Sequence, residues 1–316
     1  MSVVTKRTVR TSGGDLSVID VGEGPAVLLL HGFPLSSFLW RRFIPLLAAR
    51  FRVIAPDLLG AGDSDKPADA PLDIQAQAGY VREMLDTLEI GQFGVVAHGD
   101  GGGVAQRLTL DGAGVSALVL IDTVAFGYWP NGVVVSTDDD ATAPMLVERM
   151  LAAGTGEGRA IDPDVLAEYA TPFAGAEGMA VYTRAALALD GQGLAGHEPE
   201  FAAWDFPVLL LWGEDDPFYP VTLAERLNEA IPASTLALLP GCGHFLPEEA
   251  PDTIAPLIME YLRSRYLRAP HGHANDTKEG VVMLQLERRP PWLDLEEDEK
   301  DDWFDVDEPP SPTEAT

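Results

Sequence analysis

The chain has 316 residues, 46% of them hydrophobic, which is enough to fill a sizeable core and excludes disorder of the whole chain. Its formal net charge of −29 argues against partners such as nucleic acid or anionic membrane, because the field around the protein repels phosphates. The single cysteine excludes an internal disulfide, and without a signal-peptide or membrane-span pattern we expect a soluble, cytoplasmic protein.

Short apolar runs alternate along the chain with amphipathic stretches. This alternation is typical of a mostly parallel α/β sheet with helices on both faces. The predicted buried strands span residues 26–30, 51–55, 93–97, 117–121, 208–212 and 235–239. Apolar residues at three- and four-residue spacings predict helices at 38–49, 78–88, 102–110, 221–231 and 255–266.

One connection is much longer than the others. About 80 residues separate the strand that ends near Asp122 from the strand that starts near Pro207, more than a connection in this kind of sheet needs. We therefore predict an inserted helical cap at 126–204, between core segments 1–125 and 205–268. Helical patterns at 144–153 and 161–169, separated by the glycine-rich turn 154–158, fit a lid, and a static cover is the alternative.

The composition changes after residue 268. Residues 269–316 hold 14 acidic and 4 basic side chains, which predicts a solvated, disordered tail. Two alternatives remain for this tail. Residues 281–286 have the pattern of an extra strand, and three aromatic residues are candidate anchors for a protein partner: Trp292, Trp303 and Phe304.

Two motifs follow the first two predicted strands. The motif His31-Gly32-Phe33-Pro34 turns sharply after the strand, so we expect the backbone N–H of Phe33 to face a developing oxyanion. The second motif, DLLGAGDS from Asp57, predicts a glycine-rich turn whose aspartate can bond to its own backbone. We interpret the second motif as structural.

Two further motifs supply an acid and a base. Asp216, in WGEDDP, and His244, in PGCGHF, each follow a predicted strand at the edge where open α/β sheets build their sites. A carboxylate next to an imidazole orients the ring and stabilises its charged form. A lone histidine is usually structural, but this pairing and chain order predict a catalytic Asp216–His244 pair.

Together these motifs resemble the α/β-hydrolase fold, and within it the subgroup of haloalkane dehalogenases, epoxide hydrolases and fluoroacetate-dehalogenase-like enzymes. The resemblance covers residues 20–265 and rests on HGFPLSSFLWRRFIPLLA, APDLLGAGDSDKP, LLLWGEDDPF and LPGCGHFLPEEAP. It implies a mostly parallel, eight-stranded α/β-hydrolase sheet with a cap. It also implies an oxyanion-hole role for Phe33, and acid and base roles for Asp216 and His244.

The nucleophile turn departs from the family pattern. Family members carry small-x-nucleophile-x-small between a strand and its helix. In the segment AHGDGGG the nucleophile position falls on Gly99, which adopts strained backbone angles easily but has no side chain to attack with. The carboxylate of Asp100 comes one residue later, where the family supplies a second oxyanion-hole N–H. We expect His98 to be a ring packed beneath this turn.

Three hypotheses for the reaction follow. In the first, Asp100 is a displaced nucleophile: it forms an alkyl-enzyme ester, and His244 activates the water that hydrolyses the ester. In the second, Asp100 and His244 perform acid-base work without a covalent step, as in a cofactor-free lyase or isomerase. In the third, the protein is inactive and binds a ligand. A carboxylate that merely caps the helix is the structural alternative.

Aromatic residues at strand ends predict an apolar pocket for a small molecule: Phe33, Phe126, Tyr128 and Trp129. Core packing is the alternative for each of them. Asp100 stands where the subgroup has a halide-binding tryptophan, and its charge disfavours both a leaving halide and anionic haloacids. We infer no cofactor and no metal site, and we interpret the acidic run 138–140 as solvated.

Overall fold

The computed structural model describes residues 6–128, 141–188, 192–266 and 282–283. Within these residues nine strands form a single sheet. Their bounds are β1 (Lys6–Arg10), β2 (Asp15–Val21), β3 (Ala26–Leu30), β4 (Arg52–Pro56), β5 (Phe93–His98), β6 (Val115–Ile121), β7 (Val208–Gly213), β8 (Ser234–Leu239) and β9 (Val282–Met283).

The strand order across the sheet is β1-β2-β4-β3-β5-β6-β7-β8-β9. Strand β2 pairs antiparallel with β1 and β4, and every pair from β4–β3 onward is parallel. The predicted eight-stranded, mostly parallel sheet is therefore confirmed in β1 to β8. The short β9 pairs with β8 and lies inside the predicted extra strand 281–286, while the remainder of the acidic tail is outside the described residues.

Ten α-helices are described around the sheet. They are α1 (Ile44–Leu47), α2 (Ile74–Thr87), α3 (Asp100–Leu110), α4 (Ala143–Gly154), α5 (Pro163–Ala170), α6 (Gly175–Ala188), α7 (Glu198–Phe201), α8 (Val221–Ala230), α9 (Leu246–Glu249) and α10 (Pro251–Tyr261). The predicted helix 38–49 is instead a 3-10 helix, Ser37–Arg42, followed by α1. Pro45 explains the break, because it has no N–H to continue a helical ladder and fits only the first turn of α1.

The long connection between β6 and β7 contains helices α4 to α7. Helix α4 covers the predicted segment 144–153, and α5 covers most of 161–169. Gly154 ends α4 and lies against the rings of Phe218 and Phe245. The contact is close, because a Cβ added to Gly154 would lie 2.5 Å from the ring of Phe245. This part of the connection therefore packs directly on the loops that follow β7 and β8.

The carboxyl ends of the parallel strands position the site. All residues of β5 and β7 are buried, so these central strands are rigid supports for the loops that follow them. Phe33 follows β3, Gly99 follows β5, and His244 lies in the loop after β8. These three predicted site residues therefore lie at the same edge of the sheet, as expected for an open parallel sheet.

Candidate active site

Asp216 and His244 form a buried hydrogen-bonded pair. The Nδ1 atom of His244 lies 2.9 Å from Oδ2 of Asp216, and the side chains are 3% and 0% exposed. The other carboxylate oxygen, Oδ1, accepts backbone N–H groups from Phe218 at 2.7 Å and Tyr219 at 3.0 Å. The carboxylate is therefore fixed on both oxygens and holds the imidazole with Nε2 directed away from it.

The nucleophile position lies directly opposite that imidazole. Gly99 joins β5 to α3 with φ 58° and ψ −127°, angles that L side chains rarely adopt and glycine reaches easily. A Cβ atom built on Gly99 would lie 3.6 Å from Nε2 of His244 and 3.4 Å from Cα of Gly32. The structure thus places backbone alone opposite the histidine, at the residue that the sequence aligns with the family's nucleophile.

Asp100 turns inward rather than to solvent. Asp100 is the first residue of α3, and it is only 8% exposed. The backbone N–H of Phe33 donates to Oδ1 of Asp100 at 2.5 Å, and the backbone N–H of Asp100 itself also stabilises the carboxylate. The two N–H groups predicted for the oxyanion hole therefore both donate hydrogen bonds to the Asp100 carboxylate.

The electrostatic setting of Asp100 is unusual for an aspartate. Burial raises the pKa of this carboxyl from 3.8 to about 6. The N–H groups of Phe33 and Asp100 oppose that rise because they favour the charged form, and so does the proximity of His244. Desolvation makes a carboxylate a stronger nucleophile than one in water, the backbone donors moderate that effect, and with a pKa of about 6 the Asp100 carboxyl is mainly ionised near neutral pH.

His98 lies beneath the turn and supports the loop of His244. Its ring is completely buried, with its centroid 4.8 Å from that of His244, and its Nε2–H donates to the backbone oxygen of His244 at 2.8 Å. Burial lowers the pKa of His98 well below its ordinary value, so the ring is neutral. Among the described residues its Nδ1 has no hydrogen-bond partner.

A small cavity reaches Asp100. The volume of the cavity is about 30 Å³. Its lining is mainly apolar: Phe33, Pro34, Leu35, Leu58, Leu59, Gly60, Ala61, Leu72, Phe173 and Ala185, with His31, Gln77 and Asp100 as the polar members. Phe33 also packs on Tyr182 of α6, with ring centroids 4.9 Å apart.

The other predicted pocket residues lie elsewhere. Phe126 packs on Phe201 at 5.5 Å between centroids and carries the guanidinium of Arg226 over its ring, and it does not line this cavity. Tyr128 is 39% exposed and contacts the ring of Tyr219. Trp129 and the acidic run 138–140 lie outside the described residues. Of the four aromatic candidates, only Phe33 reaches the cavity within the part of the chain that is described.

The two early motifs are held by internal hydrogen bonds. Nε2 of His31 accepts the backbone N–H of Leu58 at 2.9 Å. The buried carboxylate of Asp57 accepts the N–H of Ser37 at 2.7 Å and pairs with Lys6 at 2.7 Å. Both side chains are therefore engaged in shaping the loops around the site, in line with the structural interpretation of the second motif.

Asp122 was not predicted as a site residue. It follows β6 with a φ of 43°, is completely buried, and accepts the N–H of Gly213 at 2.8 Å. Burial, reinforced by the charge of Asp216, raises the pKa of the Asp122 carboxyl well above its ordinary value. The available signal was its position: an aspartate directly after a buried strand, the same signal that identified Asp216.

Two features are absent from the described residues. No group of three or more histidine, cysteine, aspartate or glutamate side chains is arranged there to hold a metal ion. Within the same residues no helix is long and apolar enough to cross a membrane.

Comparisons with known proteins place the chain in a family. The model of the α/β-hydrolase family matches residues 27–257. Haloalkane dehalogenase 2 of Mycobacterium tuberculosis is 32% identical over 273 residues, covering 79% of this chain and 92% of that protein. Fluoroacetate dehalogenase of a Burkholderia species is 40% identical over 118 residues, covering 35% of this chain and 39% of that protein.

A solved structure gives the same result. An α/β-hydrolase-fold protein from Burkholderia ambifaria superposes with a TM-score of 0.74 at 31% identity, over 80% of this chain and 97% of its own. These similarities support a hydrolase activity. With the acid–histidine pair and the turn after β5 at the carboxyl edge of the sheet, they show that the chain belongs to the α/β-hydrolase family, in its dehalogenase-like subgroup.

Proposed function

We propose that this protein hydrolyses a small, neutral, apolar molecule by attack of the Asp100 carboxylate on a saturated carbon. The proposal rests on one observation: the Asp100 carboxylate accepts hydrogen bonds from the backbone N–H groups of Phe33 and Asp100. A nucleophilic carboxylate needs one oxygen held and the other free to attack. The same two donors then serve the oxyanion that forms when the resulting ester is cleaved.

The first step is the displacement. One oxygen of Asp100 attacks the carbon, the bond from that carbon to a halogen or to an epoxide oxygen breaks, and the departing atom takes the bonding electron pair. The product is an alkyl ester of Asp100. The partly desolvated setting that raises the pKa of Asp100 also favours this step, because the negative charge leaves the carboxylate as the ester forms.

The second step is hydrolysis of the ester. Nε2 of His244 takes a proton from water, and the hydroxide attacks the ester carbonyl carbon, whose oxygen carries the charge onto the N–H of Phe33. The alcohol leaves with the proton from His244, and Asp100 is regenerated. We place this water beside Gly99, because no side chain stands there and a Cβ built on this residue would lie 3.6 Å from Nε2.

The residues that line the cavity favour a neutral substrate. Its described lining contains no lysine or arginine, so a substrate carboxylate would meet Asp100 without a compensating cation. Apolar contacts with side chains such as Phe33, Leu72 and Phe173 favour alkyl groups. An ester substrate fits less well, because its carbonyl oxygen would have to displace Asp100 from the oxyanion-hole donors. We therefore favour an epoxide, whose leaving oxygen stays on the product, and next an alkyl halide, whose departing anion finds no lysine, arginine or tryptophan in the described lining.

One observation favours a second candidate function. Nε2 of His244 faces the backbone at Gly99, so water held there could attack a bound substrate directly, without an ester. Asp100 would then act only as a charged or protonated partner. This non-covalent hydration or isomerisation differs from the first proposal in a single testable respect, which is whether the protein becomes alkylated.

The test is to trap the ester. His244→Gln keeps a side chain of similar reach but removes the base, so the proposal expects stoichiometric mass gain on incubation with a panel of alkyl halides and epoxides, localised to the peptide that contains Asp100. Asp100→Asn is the matched control and should gain no mass. Turnover by wild type without any adduct in His244→Gln would favour the non-covalent function. Inactivity of all three proteins, with equal ligand binding, would favour a binding role.

A further inference from the structure

The loop that carries His244 is held by a carboxylate that the two-step mechanism does not use. Oε2 of Glu249, at the end of α9, accepts the N–H of Gly243 at 2.9 Å, and Oε1 accepts the N–H of Phe245 at 3.0 Å. These donors flank His244 on both sides. One side chain therefore fixes the backbone immediately before and immediately after the proposed base.

Glu249 also reaches the connection between β6 and β7. Its Oε2 accepts the N–H of Gly156 at 2.9 Å, and its backbone oxygen accepts a bond from Arg159 at 2.8 Å. The N–H of His244 itself donates to the backbone oxygen of Gly154 at 2.7 Å. The segment 154–159 and the loop of His244 are thus joined through the same carboxylate and through direct backbone contact.

Glycines make this contact close. A Cβ on Gly243 would lie 2.2 Å from the oxygen of Gly154, and a Cβ on Gly156 would lie 2.7 Å from the oxygen of Gly241. Side chains at these positions would push the two loops apart. The loops therefore touch backbone to backbone, and the charge-assisted bonds to Glu249 set their register.

We propose that Glu249 is a positioning residue for His244: it keeps Nδ1 on Asp216 and Nε2 facing Gly99, and it makes that alignment depend on segment 154–159. Where turnover is the readout, this inference rests on the proposed function. A carboxylate suits the task because it accepts three N–H groups with two oxygens. Glutamine offers a single acceptor oxygen, so it retains the bonds on one side of His244 only.

The experiment observes His244 directly. In proton NMR of the full chain, the His244 Nδ1–H bonded to Asp216 should give a resonance far downfield, identified by its loss in Asp216→Asn and His244→Gln. The variants are Glu249→Gln and Glu249→Ala. The matched control is Glu248→Gln, which removes a neighbouring charge bound to Arg41 rather than to the loop of His244. Urea unfolding of each variant reports how much stability it has lost.

The inference expects the downfield resonance to weaken in Glu249→Gln, to be lost in Glu249→Ala, and to persist in Glu248→Gln even where that control loses as much stability. With an active substrate, kcat of Glu249→Ala should fall roughly tenfold to a hundredfold with KM within about twofold, the loss that a shift of ~1 Å in a reacting group produces. If Glu249→Ala does not fold, the glutamine variant decides.

An unchanged resonance in both Glu249 variants would overturn the inference, as would a kcat equal to that of Glu248→Gln. The resonance is measured without substrate. Failure of the proposed function would leave wild type inactive with its resonance intact, so the two failures are distinguishable.

Discussion

The carboxylate of Asp100 accepts the backbone N–H of Phe33 at 2.5 Å, so the side chain at the start of α3 occupies the donor that was predicted to bind a substrate oxyanion. A helix cap bonds to N–H groups of its own first turn. The bond to Phe33 instead crosses to the loop after β3, 67 residues earlier in the chain. Asp100 therefore does more than cap α3, because its carboxylate also ties the start of this helix to the loop after β3.

The rate of enzyme alkylation should depend on the ionisation of Asp100. Since burial raises the pKa of this carboxyl to about 6, we expect the rate to rise about tenfold per pH unit below that value and to level off above it. Pre-steady-state measurement of alkylation with a neutral alkyl halide or epoxide provides the profile. A rate that stays constant down to pH ~4 would mean that Asp100 is not the group that attacks.

Asp100→Asn should stabilise the fold above pH 6 while it abolishes activity. The unfolded chain releases this proton near pH 3.8 and the folded chain near 6, so the stability of wild type falls as pH rises between these values, by about 3 kcal/mol. The asparagine variant does not titrate and avoids that loss. Urea unfolding should show a difference that is present at pH ~7.5 and absent below pH ~4, and equal stabilities at both would contradict the prediction.

Gly99→Ala should slow the hydrolysis of the ester more than its formation. The added methyl would lie 3.6 Å from Nε2 of His244, where the water must approach, and φ of 58° adds strain of about 1–2 kcal/mol. We expect the alkylated protein to accumulate during turnover, visible by intact mass. Gly79→Ala is the control, because a Cβ there meets nothing within 4 Å. Accumulation in neither variant would mean that water does not enter beside Gly99.

Replacement by asparagine should affect kcat differently at the two buried acids Asp122 and Asp216. Asp122 keeps its proton because burial and Asp216 raise its pKa, so Asp122→Asn should change kcat by less than about threefold. Asp216→Asn loses the acceptor that fixes the His244 tautomer, and should lower kcat roughly 10³- to 10⁴-fold. Steady-state kinetics of both variants make the comparison, and equal losses would show that Asp122 shares the role of the acid.

The sheet was largely predictable from the sequence. Buried parallel strands such as β5 and β7 are continuous apolar runs, which stand out against amphipathic helices. Strands β1 and β2 were not predicted. Strand β1, KRTVR, buries only Val9, so it carries too few apolar residues to show a pattern. Tertiary pairing with β2 makes it a strand, and that pairing is invisible in a local window.

The acid–histidine pair was predictable because each residue follows a buried strand, and parallel strands bring their carboxyl ends together. The orientation of Asp100 was not, since a shift of one residue in a sharp turn redirects the side chain by an angle that only the folded turn defines. Glu249 was missed for a related reason. It accepts hydrogen bonds from backbone N–H groups, one of them 93 residues away. Every residue except proline has such a group, so the amino-acid types do not indicate the partners.

The most direct test of the central claim is the fate of the oxygen atoms of Asp100. Wild type turning over an alkyl halide or epoxide in water enriched in oxygen-18 should acquire the label in the Asp100 carboxylate, because hydrolysis attacks the ester at the enzyme's own carbonyl. Peptide mass analysis reads the label. Product that carries the label while the Asp100 peptide stays unlabelled through many turnovers would contradict nucleophilic catalysis by Asp100.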